Sequence, residues 1–238
     1  MALAQAGQIE QALAAAERVE EADQRSEAYG AVALALAQAG QIEQAQEAFQ
    51  QALAAAERIE NAYGRSEAYG AVALALARAR KAKQAQEAFT KALEAAGRIR
   101  DAFSRSRAYC AIALALARAR KTDKAQEAFI KALEAAERIE NAYWRSEAYA
   151  EVALALAETG QVAQALEAAE QIAYAYTRSA VYRAIALALA QTGQPEQALA
   201  AAERIENAYG RSGAYRAVAL ALAQAGQAEQ AVAAAERI

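Results

Sequence analysis

"RSEAYGAVALALA", Arg25–Ala37, is the stretch on which the reading of this chain turns. It returns unchanged at Arg65, and close variants follow at Arg105, Arg145, Arg178 and Arg211. The Arg-Ser pairs are therefore spaced 40, 40, 40, 33 and 33 residues apart. A fixed period of this size marks an array of stacked supersecondary units, each burying its apolar face only against its neighbours.

Taken alone, "AVALALA" alternates in the manner of a strand. Alanine is a poor strand former, however, and Tyr69, Val72, Ala73 and Leu76 stand at i, i+3, i+4 and i+7, the spacing of one helical face. The change of period supports the helix. Between "GQIEQAQEAFQQALAAAERI" (40–59) and "GQVAQALEAAEQI" (160–172), seven residues vanish. Seven helical residues are about two turns, so their loss leaves the buried face within roughly 20° of its direction. In a strand an odd deletion would exchange the two faces.

Each unit thus reads as helix A, a short turn and helix B. In the segment after Gly40, the residues Ile42, Ala45, Phe49, Ala52, Leu53, Ala56 and Ile59 form one apolar stripe. Gly40, Gly160, Gly193 and Gly226 fall where helix A should close. Asn61, Asp101, Asn141 and Asn207 stand where the next helix A should be capped, and Pro195 suits a first turn. The expected fold class is all-α, an α-solenoid of antiparallel helix pairs forming one domain. Its units are a partial repeat at 1–24, repeats of 40 at 25–64, 65–104 and 105–144, repeats of 33 at 145–177 and 178–210, and a partial repeat at 211–238.

Composition agrees. Of 238 residues, 78 are alanine and one is proline, so small side chains permit close helix approach and almost nothing interrupts a helix. Net charge is −3, without the basic surplus of a dedicated nucleic-acid binder. The opening "MALAQAG" has neither a basic start nor a long apolar run, so no signal peptide is read. No uncharged apolar run is long enough to span a membrane. Cys110 is the single cysteine and cannot form an internal disulfide. A cytoplasmic protein is expected.

Counting from Ser66, the residues Tyr69, Val72, Ala73, Leu76, Ala85, Phe89 and Ala92 fall at positions 4, 7, 8, 11, 20, 24 and 27, and Gly40 falls at 15 from Ser26. In this pattern of large and small residues the chain resembles the tetratricopeptide repeat (TPR), across almost its whole length. It departs from that family in its periods, in Tyr where Trp is usual, in Ala at position 8, and in lacking a Pro at the end of each unit. The 40-residue units are similar to the extended repeats of kinesin light chains in length and helix layout. The resemblance implies a right-handed superhelix whose A helices line a concave groove holding a protein or peptide. Carried over, the lining becomes Tyr63, Glu67, Gly70, Leu74 and Arg78, with counterparts Phe103, Arg107, Cys110, Leu114 and Arg118, then Tyr143, Glu147, Ala150, Leu154 and Glu158. Gly70 and its small equivalents would leave room for a ligand. Alternatively, Tyr63 and Leu74 simply pack on the neighbouring helix A.

The repeats differ in charge. Units 65–104 and 105–144 carry +4 and +3, and the rest of the chain −10. The excess sits in "RARKAK" (78–83) and "RARKTDK" (118–124) at the A-to-B turns. Arg78, Arg80, Lys81, Lys83, Arg118, Arg120, Lys121 and Lys124 either complement the dipole of helix A or form an anion strip for a carboxylate, an acidic peptide or a phosphate. Arg80 and Arg120 replace the turn glycine, so each is strained if the left-handed conformation persists. Trp144, the only tryptophan, either anchors a partner or fills a local gap. The arginines of the Arg-Ser pairs are read as structural, reaching the tyrosine at i+4.

No catalytic residue is expected. Histidine is absent, one thiol without His gives no nucleophilic pair, and no Gly-rich phosphate loop or Cys-rich zinc site is present. No cofactor or metal is expected. The leading expectation is a non-enzymatic scaffold for a protein or peptide, acidic or ending in a carboxylate. Its rivals are an engineered or consensus-like array without a natural ligand, and an anion or nucleic-acid binder acting through the basic repeats. The partial end repeats suggest either a longer array or end-to-end self-association.

Overall fold

A computed structural model describes residues 9–238; Met1–Gln8, which hold the whole "MALAQAG" opening and part of the expected repeat 1–24, lie outside the described residues. Among the described residues thirteen α-helices follow one another, with no strand. The A helices are α2 (Ala22–Gln38), α4 (Ala62–Arg78), α6 (Ala102–Arg118), α8 (Ala142–Glu158), α10 (Ala175–Gln191) and α12 (Ala208–Gln224), each of 17 residues. The B helices are α1 (Ile9–Glu17), α3 (Ile42–Glu57), α5 (Ala82–Gly97), α7 (Thr122–Glu137), α9 (Val162–Glu170), α11 (Pro195–Glu203) and α13 (Ala228–Ala235). Where the period is 40, helix B has 16 residues, and where it is 33, helix B has nine. The seven-residue deletion is thus two turns of helix B, as the periodicity requires.

The chain divides into two compact units, one ending at Ala132 and the other running Leu133–Ile238. Within the first, A helices pack side by side, α2 on α4 and α4 on α6, and the B helices α3 and α5 each lean on their own A helix and on the next. The second repeats this order with α8, α10 and α12 and their B helices. Together these features make the molecule an all-α solenoid of helix pairs.

The core is the stripe that the spacing marks. Tyr69, Val72, Ala73 and Leu76 are buried in α4, and Ala85, Phe89, Ala92 and Ala96 in α5. Phe49, Phe89 and Phe129 are the largest fully buried side chains and occur only in the long B helices. The shorter helices α9 and α11 close the same layer without an aromatic residue, by Ala165, Ala168 and Ala169 in one and Pro195, Ala198, Ala201 and Ala202 in the other. One member of the stripe differs from expectation. Ile42 is the first residue of α3 and stands 49% exposed, so burial begins at Ala45 in the next turn.

The punctuation is chemical. Asn61, Asp101, Asn141 and Asn207 each accept a hydrogen bond from a first-turn N–H, as N-caps should. Gly40, Gly160, Gly193 and Gly226 all have positive φ. At the first of these, Gly40 N–H donates to Ala37 O and Gln41 N–H to Leu36 O, the paired bonds of a Schellman turn. Arg80 and Arg120 adopt the same conformation, each at φ 58, with the same two bonds. The turn is preserved there against the steric preference of an L-residue.

The Arg-Ser pair proves structural by a different contact from the expected one. Arg65 Nε donates back to Ile59 O at 2.7 Å, the carbonyl just past the end of the preceding helix B. Arg25, Arg105, Arg145, Arg178 and Arg211 repeat this on Val19, Ile99, Ile139, Ile172 and Ile205. A helix end leaves carbonyls without partners, and a charged donor satisfies them well. The ring of Tyr69 is instead covered by Lys91, 5.4 Å from its centroid. Four of the serines, Ser26, Ser66, Ser106 and Ser146, are buried as well, and Ser26 and Ser106 donate to Ala52 O and Ala132 O, tying helix A to helix B.

Candidate functional site

The helix A face is built at the N-termini, where each cap holds the first turn. Asn141 Oδ1 accepts from the N–H groups of Tyr143 and Trp144 at 2.9 and 3.2 Å, which fixes both aromatic residues at the start of α8. Their rings meet edge to face at 5.1 Å, and Tyr174 approaches Tyr143 at 6.0 Å in the same manner. Trp144 is therefore part of a half-exposed aromatic cluster: it is 48% exposed, Tyr143 49% and Tyr174 46%. Tyr176 and Tyr209 occupy the position of Tyr143 in the following repeats and are 89% and 90% exposed. In the first unit the same position holds Tyr63 and Phe103, both half-buried, with Arg107 over the Phe103 ring at 5.7 Å.

Of the remaining expected groove residues, Glu67, Arg78, Arg107 and Arg118 are exposed, and Leu74, Leu114 and Glu147 are half-buried. The small residues between them do not leave open space. Gly70, Cys110 and Ala150 are buried. A Cβ added to Gly70 would lie 3.8 Å from the Ile112 side chain, and one on Gly30 would lie 3.7 Å from Val72. These positions serve the close approach of one A helix to the next. In the last two repeats, which begin at Arg178 and Arg211, the same position becomes Arg183 and Arg216, and both are exposed.

Next to this substitution a recess of about 500 Å³ opens between α10 and α12. Ala175, Ser179, Ala180 and Gly210 supply its small residues, Tyr176 and Tyr209 its rings, and Arg183, Glu206 and Asn207 its polar groups. Glu206 is engaged by Arg178, the staple arginine of α10. Tyr174, Tyr176, Tyr209 and Arg183 were absent from the sequence-based set. Tyr176 and Tyr209 were legible there, because both stand two residues before an Arg-Ser pair as Tyr63 does.

The basic strip lies wholly in the first unit. Arg78, Arg80, Lys83, Arg118, Arg120 and Lys121 are exposed, and Lys81 and Lys124 half-buried. The dipole of helix A accounts for Arg78 and Arg118, which sit in the last turns of α4 and α6. It does not account for Lys83, the second residue of α5, where the positive end of a helix disfavours a cation. The equivalent first turn of α3 carries Glu43.

Hydrogen bonds from Ser104 hold the Asp101 carboxyl below its ordinary value, with a smaller contribution from Arg105. Burial, aided by the Glu137 carboxylate, raises the Tyr149 hydroxyl, and burial with Glu17 does the same at Tyr29. No group of three or more His, Cys, Asp or Glu side chains among the described residues is placed to hold a metal ion. No helix among them is long and apolar enough to cross a membrane.

The chain is similar in structure to Ton1535 from Thermococcus onnurineus NA1, at 19% identity, covering 97% of this chain and 80% of that one, with a TM-score of 0.46. It is also similar to BtubC (BKLC) from P. vanneervenii, at 16% identity, 96% and 89% coverage and a TM-score of 0.42. No curated protein matches. The family model Tetratricopeptide repeat matches residues 26–58 and 106–138. Two matched repeats within thirteen helices of the described residues, with the helix pairs stacked as above, make this chain a tetratricopeptide-like helical repeat protein.

Proposed function

We propose that the chain is a non-enzymatic scaffold that grips a protein or peptide along its A helices, in a cytoplasmic setting. The observation that carries this reading is the aromatic series at the starts of α8, α10 and α12. Tyr143, Trp144, Tyr174, Tyr176 and Tyr209 are between 46% and 90% exposed in a protein whose other large side chains are mostly sealed in an alanine-lined core. Rigid aromatic side chains at the surface are the usual anchors of a protein interface, since they supply large contact area at little entropic cost. Repetition at fixed intervals suits an extended partner. The basic strip from Arg78 to Lys124 supports a partner with acidic segments, and Lys83 favours that reading because the helix dipole opposes it.

A displayed peptide library captured by wild type and by Arg78→Glu/Arg118→Glu tests the proposal. Wild type is expected to select a defined family of peptides, and the double variant to lose the acidic members. Identical captures would remove the basic strip from the site, and no enrichment by wild type would overturn the scaffold reading.

A further inference from the structure

The recess between α10 and α12 suggests which peptide is taken. We propose that it is an anchor slot for a flat apolar ring with a carboxylate beside it, so that the scaffold described above selects peptides in which an aromatic residue adjoins an acidic one. This rests on the scaffold reading and specifies its partner.

Two independent features converge here. The first is shape. A recess of about 500 Å³ lies within the range that accepts one or two side chains. Its small residues, Ala175, Ala180 and Gly210, admit a ring between Tyr176 and Tyr209. Both tyrosines are about nine-tenths exposed, so each still offers a face or an edge to an incoming ring. The N-terminus of α10 fits the same picture: Tyr174 stands at the N-cap, where the other A helices from α4 onward have Asn or Asp, and makes no side-chain capping bond.

The second feature is charge. Every earlier repeat has a small buried residue at the position of Arg183, namely Gly30, Gly70, Cys110 and Ala150. Arginine there is exposed instead of buried and contributes its guanidinium-bearing side chain to the lining of the recess. The one carboxylate of the lining, Glu206, is engaged by Arg178, which leaves Arg183 as the cation available to a ligand. A planar guanidinium pairs with a carboxylate through two parallel hydrogen bonds. Ring and acid are therefore recognised together, by the tyrosines and by Arg183.

N-acetylphenylalanine is the minimal probe, compared with its uncharged amide and with N-acetylalanine, and read by amide chemical shifts of the full chain. The acid is expected to shift residues 175–183 and 206–210 and to bind at least tenfold more tightly than the amide, with N-acetylalanine inactive. Arg183→Gln should bring the acid down to the level of the amide. Tyr176→Ala and Tyr209→Ala should weaken both aromatic probes, and as surface changes all three leave the helical circular dichroism unchanged. Absence of shifts in these segments, or equal binding of acid and amide, would overturn the slot. If the slot fails while the peptide library still enriches a defined family, the scaffold reading stands without it. If the probe binds but the library stays empty, the peptide occupant is overturned.

Discussion

Arg80 and Arg120 permit a sharp test of how the turns are built. Both hold φ 58 at the position that is glycine in the A-to-B turns at 40, 160, 193 and 226. A left-handed L-residue costs about 1–2 kcal/mol. At Gly40 an added Cβ would meet nothing within 4 Å, so the cost of a side chain in this turn is torsional and not a clash. Glycine loses about 0.4–1 kcal/mol of this advantage through the greater freedom of its unfolded chain. The useful comparison is therefore Arg→Gly with Arg→Ala. Each removes the cation near the end of α4 or α6, so the dipole contribution cancels, and only the left-handed strain differs. Arg80→Gly should be more stable than Arg80→Ala by about 1 kcal/mol, and the double substitutions should differ by about 2 kcal/mol, since distant sites add. Urea unfolding followed by helical circular dichroism reads this as a midpoint difference of roughly 0.5–1 M at unchanged slope. Equal midpoints, or a higher midpoint for the alanine pair, would refute a strained Schellman turn at these positions.

Other tests address the core, the staples and the caps. Phe89→Ala should cost about 3–5 kcal/mol, because Phe89 is fully buried in α5 and the alanines around it cannot collapse into the space; calorimetry would check it. Arg65→Ala should cost about 1–3 kcal/mol by leaving the end of α3 without its donor, and Arg65→Lys should restore only part of this, since lysine lacks the forked geometry that reaches Ile59 O and Glu60 O. Asp101 is the only acidic cap among those that bond a first-turn N–H, the others being asparagine. Its folded pKa lies below the ordinary 3.8, so its contribution is fully present above that value and is lost as pH falls through the lowered one. Acid unfolding of Asp101→Asn should show a shallower pH dependence below about pH 4, and an unchanged acid limb would refute the cap's ionic contribution.

The linear signal carried much of the architecture. The 40- and 33-residue periods, the seven-residue difference and the capping residues each correspond to a local rule, and α-helix periodicity converts such rules directly into buried faces. Tyr69, Val72, Leu76 and Phe89 were legible as core for this reason. The site was less legible. Gly70 and its equivalents suggested open space, yet they are consumed by helix A meeting helix A, a contact between residues 42 apart at Gly70 and Ile112. Arg65 was assigned to Tyr69 one turn ahead, whereas it reaches six residues back across the turn.

By itself, then, the sequence determined helix positions, lengths and punctuation, because these follow from spacings of a few residues and from caps that act within one turn. Only the tertiary structure decided which face of helix A remains open, because exposure depends on what the next repeat brings against it. Tyr63 and Tyr209 share one sequence position, and the first is half-buried while the second is 90% exposed. That difference arises from packing between repeats, which no single repeat encodes.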